Sequence, residues 1–274
     1  MGPAGSGKST YCHNMVLHAR DAHRTINVIN LDPAAETFKY EPLVDIKELI
    51  QLDDAMEDEE LHFGPNGGLI FCMEHLIANA DWLKEQIEEI VDEDYILFDC
   101  PGQIELYTHM TVMTKFIELL HSWEFRVCGV FLLDSHFMLQ TNKFFSGTLT
   151  ALSVMINLEI PQVNVLSKMD LLSKNSKDQL EKFLEADTHM LLHDETLGKA
   201  DTKWHQKYFK LSKGICSIID DYSFVKYMPL DLSDEESVQD LLIFIDSNLQ
   251  YGEDSDVRAR DYTDAEPADE GYND

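Results

Sequence analysis

Short apolar runs alternate with longer amphipathic stretches along most of this chain. The runs typical of buried strands are Ile26–Leu31, Tyr95–Asp99, Val127–Asp134, Gln162–Ser167 and Val225–Leu230. The stretches with helical spacing are Thr10–Ala22, Gly68–Val91, Gln103–Ser122, Lys143–Leu158 and Asp234–Leu249, the last with Ser233 as its predicted N-cap. Strands that alternate with helices predict an α/β fold with a mostly parallel sheet flanked by helices.

Two segments depart from this alternation and define the expected domain organisation. The interval Ser173–Ser223 is charged and helical without a clear strand, and we interpret it as an insertion on the nucleotide side. The segment 251–274 alternates acidic residues with Ser, Gly and Tyr and has almost no aliphatic residues, so we expect an acidic disordered tail. We expect residues 1–250, including this insertion, to form one α/β domain.

Composition narrows the classes of partner. The formal net charge is −30 over 274 residues, which excludes a general nucleic-acid binder because no basic stripe offsets it. No apolar stretch is long enough to span a bilayer and no signal peptide is visible, so we expect no membrane association. The 5 cysteines are scattered without a C-x-x-C pair, which favours a reducing compartment, the cytosol or nucleus.

The first residues fill every position of the phosphate-binding loop pattern G-x-x-x-x-G-K-[ST]. Glycines in such a loop let consecutive backbone N–H groups wrap an anion, and the helix that follows directs its N-terminal dipole at the phosphates. The lysine reaches the β- and γ-phosphates, and the serine hydroxyl ligates Mg²⁺. The predicted nucleotide-binding residues are Gly2, Pro3, Ala4, Gly5, Ser6, Gly7, Lys8, Ser9 and Thr10.

The strand that normally precedes this loop has no counterpart here, because only Met1 precedes Gly2. We therefore expect the N-terminal strand to be missing and a central position in the sheet to be empty, unless another segment fills it. Whether that position is empty or filled, the loop can still bind a nucleotide, and the sequence leaves open whether the chain is fully active.

Two loops after predicted strands carry acids suited to a switch. Asp99-Cys100-Pro101-Gly102 has the D-x-x-G form, in which the Asp holds the metal through water and the Gly N–H meets a γ-phosphate. Gln103 follows where a glutamine would orient an attacking water. Asp32 ends its own strand, where it could polarise that water or bind a metal-bound water. The structural alternatives are an Asp-Pro-Gly turn and a cap before Pro33.

Ser167-Lys168-Met169-Asp170 follows a strand where guanine-specific proteins carry N-K-x-D. In that pattern the Asp accepts both N–H groups on one edge of guanine, and the Lys stem packs on the ring face. Asp170 and Lys168 supply both functions, whereas Ser167 replaces the Asn and loses an amide that usually braces the loop or base. We therefore predict a guanine preference with altered affinity, the alternative being a surface Lys and Asp in a loop.

With Gly64-Pro65-Asn66 placed between Asp32 and the D-x-x-G strand, the chain resembles the GPN-loop GTPases from its first residue to about Leu249. Within that family it is most similar to the third eukaryotic paralogous group. The resemblance implies a P-loop NTPase that binds GTP with Mg²⁺, the latter at Ser9, Asp32 and Asp99.

The resemblance also implies further site residues and partners. Gly64, Pro65 and Asn66 of one subunit would reach the phosphates of the other in a homodimer or pseudo-homodimer, so that Asn66 acts in trans. Gln103 and Glu105, with Asp32, would set the hydrolytic water. The expected heteromeric partner is the first paralogue, and the implied role is assembly or nuclear import of RNA polymerase II, in the cytoplasm with shuttling to the nucleus left open.

Two other functions remain open at this point. A nucleotide-binding scaffold or chaperone with little turnover is favoured by the missing strand and the acidic tail. A P-loop kinase shares the phosphate loop and often has a helical insertion, but it needs no γ-phosphate sensor of the D-x-x-G form.

Overall fold

A computed structural model describes residues 1–57, 63–88, 95–185, 203–221 and 225–252. Its strands are β1 Ile26–Asn30, β2 Val44–Asp45, β3 Tyr95–Asp99, β4 Gly129–Asp134, β5 Gln162–Ser167 and β6 Tyr227–Pro229. Five of these lie where the apolar runs predict them. The pattern missed β2 because a strand of two residues is too short to show an alternation.

Helices fill most of the intervals between the strands. They are α1 Lys8–Asp21, α2 Leu52–Glu57, α3 Pro65–Ala78, α4 Ala80–Ile87, α5 Glu105–Thr108, α6 Val112–Ser122, α7 Thr141–Leu158, α8 Lys174–Glu185, α9 Lys203–Asp221 and α10 Glu235–Leu249. Short 3₁₀ turns follow β2, β4 and β5 at Ile46–Glu48, Phe137–Leu139 and Met169–Leu171.

Two predicted helices are each interrupted, and one predicted N-cap is wrong. The helix expected over Gly68–Val91 is interrupted at Asn79, whose side-chain amide donates to the His75 carbonyl and competes with the helix backbone. The helix expected over Gln103–Ser122 is two helices, because His109 leaves the helical region at φ −150°. The N-cap of α10 is Asp234, whose Oδ1 accepts from the Glu236 N–H, whereas the Ser233 hydroxyl donates to Asp231.

All the strand pairs are parallel, and they form two three-stranded groups in the orders β2-β1-β3 and β4-β5-β6. No ladder joins β3 to β4, and no strand lies between them, in the part of the chain that the structure describes. Met1 lies beside β4: its ammonium donates to the Val130 carbonyl at 2.9 Å, and its carbonyl accepts from the Leu132 N–H at 3.0 Å. The phosphate loop therefore begins at the edge of β4.

Helix α1 joins the two strand groups through its buried face. Tyr11 and Met15 pack in one apolar cluster with Val28 of β1, Leu132 of β4 and Val165 of β5. A second cluster on the other side of the strands contains fully buried residues of both groups, including Ile29 and Phe131. Parallel strands covered in this way are buried on both faces, as the α/β pattern predicts.

The described part of the interval 173–223 contains only the helices α8 and α9 and the residues next to them. Residues 186–202 and 222–223 of that interval lie outside the described residues, as do residues 89–91 of the helix expected over Gly68–Val91 and the predicted acidic tail from 253 onward. None of the described helices combines the length and apolarity that crossing a bilayer requires.

Phe131→Ala tests whether the core holds the two strand groups together. Phe131 is 0% exposed, so we expect truncation to lower the free energy of unfolding by about 3–5 kcal/mol, measured by urea denaturation. The control Phe244→Ala, on a side chain that is 49% exposed, should cost less than about 1 kcal/mol. Equal losses for the two variants would contradict this description of the core.

Candidate functional site

The phosphate loop has a backbone that only glycine adopts without strain at several positions. Gly5 and Gly7 have φ of 76° and 92°, and Gly7 is the N-cap of α1. Gly2 lies so close to β4 that a Cβ there would be 2.4 Å from the Leu132 carbonyl oxygen. The loop is therefore fixed against β4 and opens onto the N-terminus of a 14-residue helix, which is a favourable place for an anion.

Lys8, the first residue of α1, folds back over the loop. Its ammonium donates to the carbonyl oxygens of Gly2 and Pro3, both at 3.2 Å. Burial lowers the pKa of Lys8, and the nearby carboxylates of Asp99 and Asp32 act in the opposite direction. A partly desolvated ammonium at the N-terminus of a helix favours a bound anion.

Ser167 braces the phosphate loop, which corrects our expectation that this position loses its bracing role. It ends β5 and is 5% exposed, and its hydroxyl lies 2.7 Å from the Ser6 carbonyl and 3.1 Å from the Leu133 carbonyl. A hydroxyl carries one proton, so it donates to one of these oxygens at a time. Serine thus ties the loop to β5 and β4, the bracing that the asparagine amide of N-K-x-D usually provides.

The D-x-x-G loop lies directly against the phosphate loop. Asp99 ends β3 and is 3% exposed, and a Cβ on Gly102 would be 2.9 Å from the Cα of Ala4. The Tyr107 hydroxyl donates to the Pro101 carbonyl and so anchors the D-x-x-G loop to helix α5. Gln103 places its Oε1 in a buried position without a hydrogen-bond partner among the described residues. The two loops are therefore in direct contact.

Asp32 lies just past β1 in a network that fixes its backbone. Its N–H donates to Asn30 Oδ1 at 3.1 Å, and the Asn30 amide donates to the carbonyl of Asp32 and to Asp45 Oδ1. The Asp32 carboxylate accepts from the Ala34 N–H at 3.0 Å. Burial raises the pKa of Asp32, an effect that this hydrogen bond and the charge of Lys8 oppose.

A cavity of about 170 Å³ lies beside the phosphate loop. It is lined by residues that include Thr10, Ser167, Lys168, Asp170, Leu230 and Leu232. Most of its lining surface is apolar, and Asp170 is exposed at its edge. An apolar slot with one carboxylate fits a flat base that offers N–H donors.

Lys168 is held by a partner that the sequence motifs did not reveal. Its φ of 62° turns the chain, and its ammonium donates to Asp134 Oδ2 at 2.7 Å. Burial alone would raise the pKa of Asp134, but the bonds from Lys168 and from the His136 N–H lower it. Asp134 is the last residue of an apolar strand, as Asp99 is. An acid at this place in the sequence is the signal that could have identified Asp134 as a site residue.

Gly64, Pro65 and Asn66 begin helix α3 on an exposed surface, with Gly64 as N-cap and Pro65 in the first turn. Glu105 is exposed at the start of α5. Within the described residues, no hydrogen bond or ion pair joins these four residues to the phosphate loop of the same chain. The structure thus brings together Gly2–Thr10, Asp32, Asp99–Gln103 and Ser167–Asp170, and it leaves the Gly-Pro-Asn segment outside that group.

A glycine-rich loop between a strand edge and a helix, with an acid at the end of the neighbouring strand, defines the P-loop NTPase class. A family model described as "Conserved hypothetical ATP binding protein" matches residues 1–251.

Similar proteins narrow this class to a family. The chain is 54% identical to GPN-loop GTPase 3 of Danio rerio, covering 99% of this chain and 94% of that protein. It is 43% identical to GPN-loop GTPase 3 of Saccharomyces cerevisiae, covering 92% of each. A solved structure of a Pyrococcus abyssi GTPase in apo form shares the fold at a TM-score of 0.74 and 22% identity, covering 92% of this chain and 95% of that one. The chain belongs to the GPN-loop GTPase family.

Ser167→Ala tests the brace on the phosphate loop. Removing the hydroxyl removes the hydrogen bond that it donates to a buried carbonyl oxygen, so we expect the free energy of unfolding to fall by about 1–3 kcal/mol. Urea denaturation measures the loss. The control Ser122→Ala removes a hydroxyl that donates to the Leu119 carbonyl on an exposed helix, and it should change stability by less than about 0.5 kcal/mol. If Ser167→Ala costs no more than this control, the brace is not structural.

Asp32→Asn tests the burial of that carboxylate. Because burial raises the pKa of Asp32 above its unfolded value, ionisation costs the wild type stability as pH rises through the folded pKa. Asparagine does not ionise and its Oδ1 still accepts from the Ala34 N–H. The variant should therefore gain stability relative to wild type between about pH 4 and pH 7, measured by urea denaturation at both values. A difference that is the same at both pH values would contradict this.

Proposed function

We propose that this chain binds GTP with Mg²⁺ and hydrolyses the bond between the β- and γ-phosphates. The observation that carries this proposal is the convergence of three parts at one sheet edge: the phosphate loop, the D-x-x-G loop against it, and the base-sized pocket beside Ser167. The names of the relatives support hydrolysis of GTP.

The donor set at this edge fits Mg²⁺. The Ser9 hydroxyl lies in the first turn of α1, and the carboxylates of Asp32 and Asp99 are both near enough to act on the Lys8 ammonium. These are hard oxygen ligands, and Mg²⁺ is usually held by one or two protein groups together with substrate phosphates and water. When bound, the metal would neutralise charge that develops on the phosphate oxygens.

The protein groups have distinct proposed tasks. Backbone N–H groups of the phosphate loop, among them those of Gly5, Gly7 and Lys8, hold the β- and γ-phosphates together with the Lys8 ammonium, and the Gly102 N–H senses the γ-phosphate. Gln103 orients the attacking water, with Asp32 and Glu105 as further acceptors for its protons. The support for Gln103 is its buried Oε1, which needs a donor and would receive one from that water.

Guanine is the proposed base. Asp170 would accept the two N–H groups on one edge of guanine, and the Lys168 stem would cover the ring. The Lys168–Asp134 ion pair and the left-handed backbone at Lys168 support this assignment. Together they fix the path of the chain from the end of β5 to Asp170.

We further propose that the chain acts as a dimer in which Gly64, Pro65 and Asn66 reach the partner's phosphates. Support comes from their exposure at the start of a long helix and from their separation from the phosphate loop of their own chain.

The proposed partner is a second copy or the first paralogue. The proposed cellular role is assembly or nuclear import of RNA polymerase II, in the cytoplasm with shuttling to the nucleus. That role rests on the family resemblance. Co-purification with the tagged first paralogue and polymerase subunits tests it, and absence of both would oppose it.

Asp170→Ala tests the base assignment by comparing GTP with ITP, which lacks the exocyclic amino group. Wild type should prefer GTP by about tenfold or more, because a hydrogen bond to a charged group contributes about 1.5–3 kcal/mol. The variant should bind the two nucleotides almost equally, as measured by competition against a fluorescent GDP analogue. A GTP preference that survives in Asp170→Ala would contradict the assignment.

Mixing Lys8→Ala with Asn66→Ala tests hydrolysis and the action of Asn66 in trans. Each variant alone should be inactive in phosphate release, because one lacks the phosphate contact and the other lacks the residue supplied to the partner. In a mixed dimer the Asn66→Ala subunit keeps its loop and receives Asn66 from the other subunit. The mixture should recover about a quarter of wild-type activity, since half of the dimers are mixed and each has one complete site.

No recovery on mixing, with each variant folded by circular dichroism, would contradict action in trans. Full activity of Lys8→Ala alone would contradict the proposed phosphate site itself.

A further inference from the structure

The segment between β1 and β2 lies over the phosphate loop and is tied down at several points. The Lys39 ammonium donates to Thr10 Oγ1 at 3.4 Å, and the Lys47 ammonium donates to the Ala35 carbonyl at 2.7 Å. At its end, the Leu43 N–H donates to the Val28 carbonyl at 2.7 Å. We define residues 33–43 as the covering segment, and no sequence motif includes its residues from Ala35 onward.

Tyr40 is the buried residue of this segment. Its side chain is 8% exposed and its ring lies 5.5 Å from that of Phe38. Its hydroxyl donates to Asp99 Oδ2 at 2.7 Å. This distance is typical of an O–H donor and a carboxylate, a combination roughly twice as strong as a neutral pair.

Asp99 needs such a donor because it is 3% exposed at the end of β3. A buried carboxylate without hydrogen bonds is costly, and its side chain would otherwise be free to rotate. A carboxylate offers about four lone-pair sites, so one O–H group on Oδ2 leaves Oδ1 available. The hydroxyl of Tyr40 therefore fixes the orientation of this side chain without using its whole capacity.

We propose that Tyr40 is a positioning residue for the metal site, and that it links the covering segment to metal binding. Its hydroxyl holds Asp99 so that the second carboxylate oxygen can accept from a metal-bound water. This rests on the proposed function, because the metal enters with the nucleotide. It also gives a buried tyrosine in a loop a task that packing alone does not require, since phenylalanine would fill the same space.

Tyr40→Phe removes only the hydroxyl and keeps the ring. The probe is a fluorescent GDP analogue titrated first in EDTA and then with MgCl₂. The variant should bind the analogue in EDTA within about twofold of wild type, and the Mg²⁺ concentration for half-maximal tightening should rise roughly tenfold.

The matched control is Tyr227→Phe in the other strand group, which removes a hydroxyl that donates to Thr148 Oγ1 at 3.1 Å. This control should keep the wild-type Mg²⁺ dependence. A Mg²⁺ dependence of Tyr40→Phe that is unchanged, or that shifts to lower concentration, would overturn the proposal.

Trypsin cleavage after the exposed Lys39 tests the other half of the proposal on the free protein. Without nucleotide or metal, Tyr40→Phe should release the fragment 1–39 several times faster than wild type or Tyr227→Phe, as measured by mass spectrometry. Equal rates would overturn the link between Tyr40 and the covering segment. If wild type fails to bind the GDP analogue, the proposed function fails; if it binds and only the Tyr40→Phe effects are missing, the role of Tyr40 alone fails.

Discussion

The phosphate loop has the shape of an anion site only because three neighbours hold it from different sides. Gly2 lies against the backbone of β4, Ser6 offers its carbonyl to the Ser167 hydroxyl, and Ala4 touches Gly102. Each contact involves backbone atoms at close range, and such contacts leave little freedom for adjustment. The geometry of the strand ends thus determines which way the loop N–H groups point.

The same packing concentrates charge that is unfavourable without a ligand. Burial lowers the pKa of Lys8 and raises that of Asp32, so both charged forms are destabilised where they lie. In a chain with a formal net charge of −30, an anion is attracted to this place only by local N–H groups and the ammonium. A triphosphate with a divalent cation would satisfy the ammonium and the carboxylates together, and any ligand that binds the folded state stabilises it.

Much of this arrangement could be predicted from the sequence, because apolar runs and short motifs report local constraints. The strands ending at Asp99 and Ser167 follow from periodicity, and the motifs that come next were already expected to meet at one edge of a parallel sheet. What was missed depends on tertiary contacts. Nothing near Tyr40 in the sequence indicates that it reaches Asp99, and Asp134 gains its meaning only from the ammonium of Lys168.

The errors come from hydrogen bonds, one long-range and the others local, that the sequence patterns do not report. Replacing asparagine by Ser167 reads as a loss when the motif is compared letter by letter, yet the hydroxyl reaches the Ser6 carbonyl because β5 ends so close to the loop. The long helices expected around Asn79 and His109 were interrupted by local backbone and side-chain hydrogen bonding that apolar spacing does not report.

The most direct measurement of the central claim is calorimetric titration of GDP with Mg²⁺ into wild type, Gly2→Ala and Gly214→Ala. A Cβ at Gly2 would collide with β4, whereas one at Gly214 in α9 meets no atom within 4 Å. We predict that wild type and Gly214→Ala bind GDP alike and that Gly2→Ala loses binding while remaining folded. Equal affinity for all three proteins would contradict a site formed by the loop backbone.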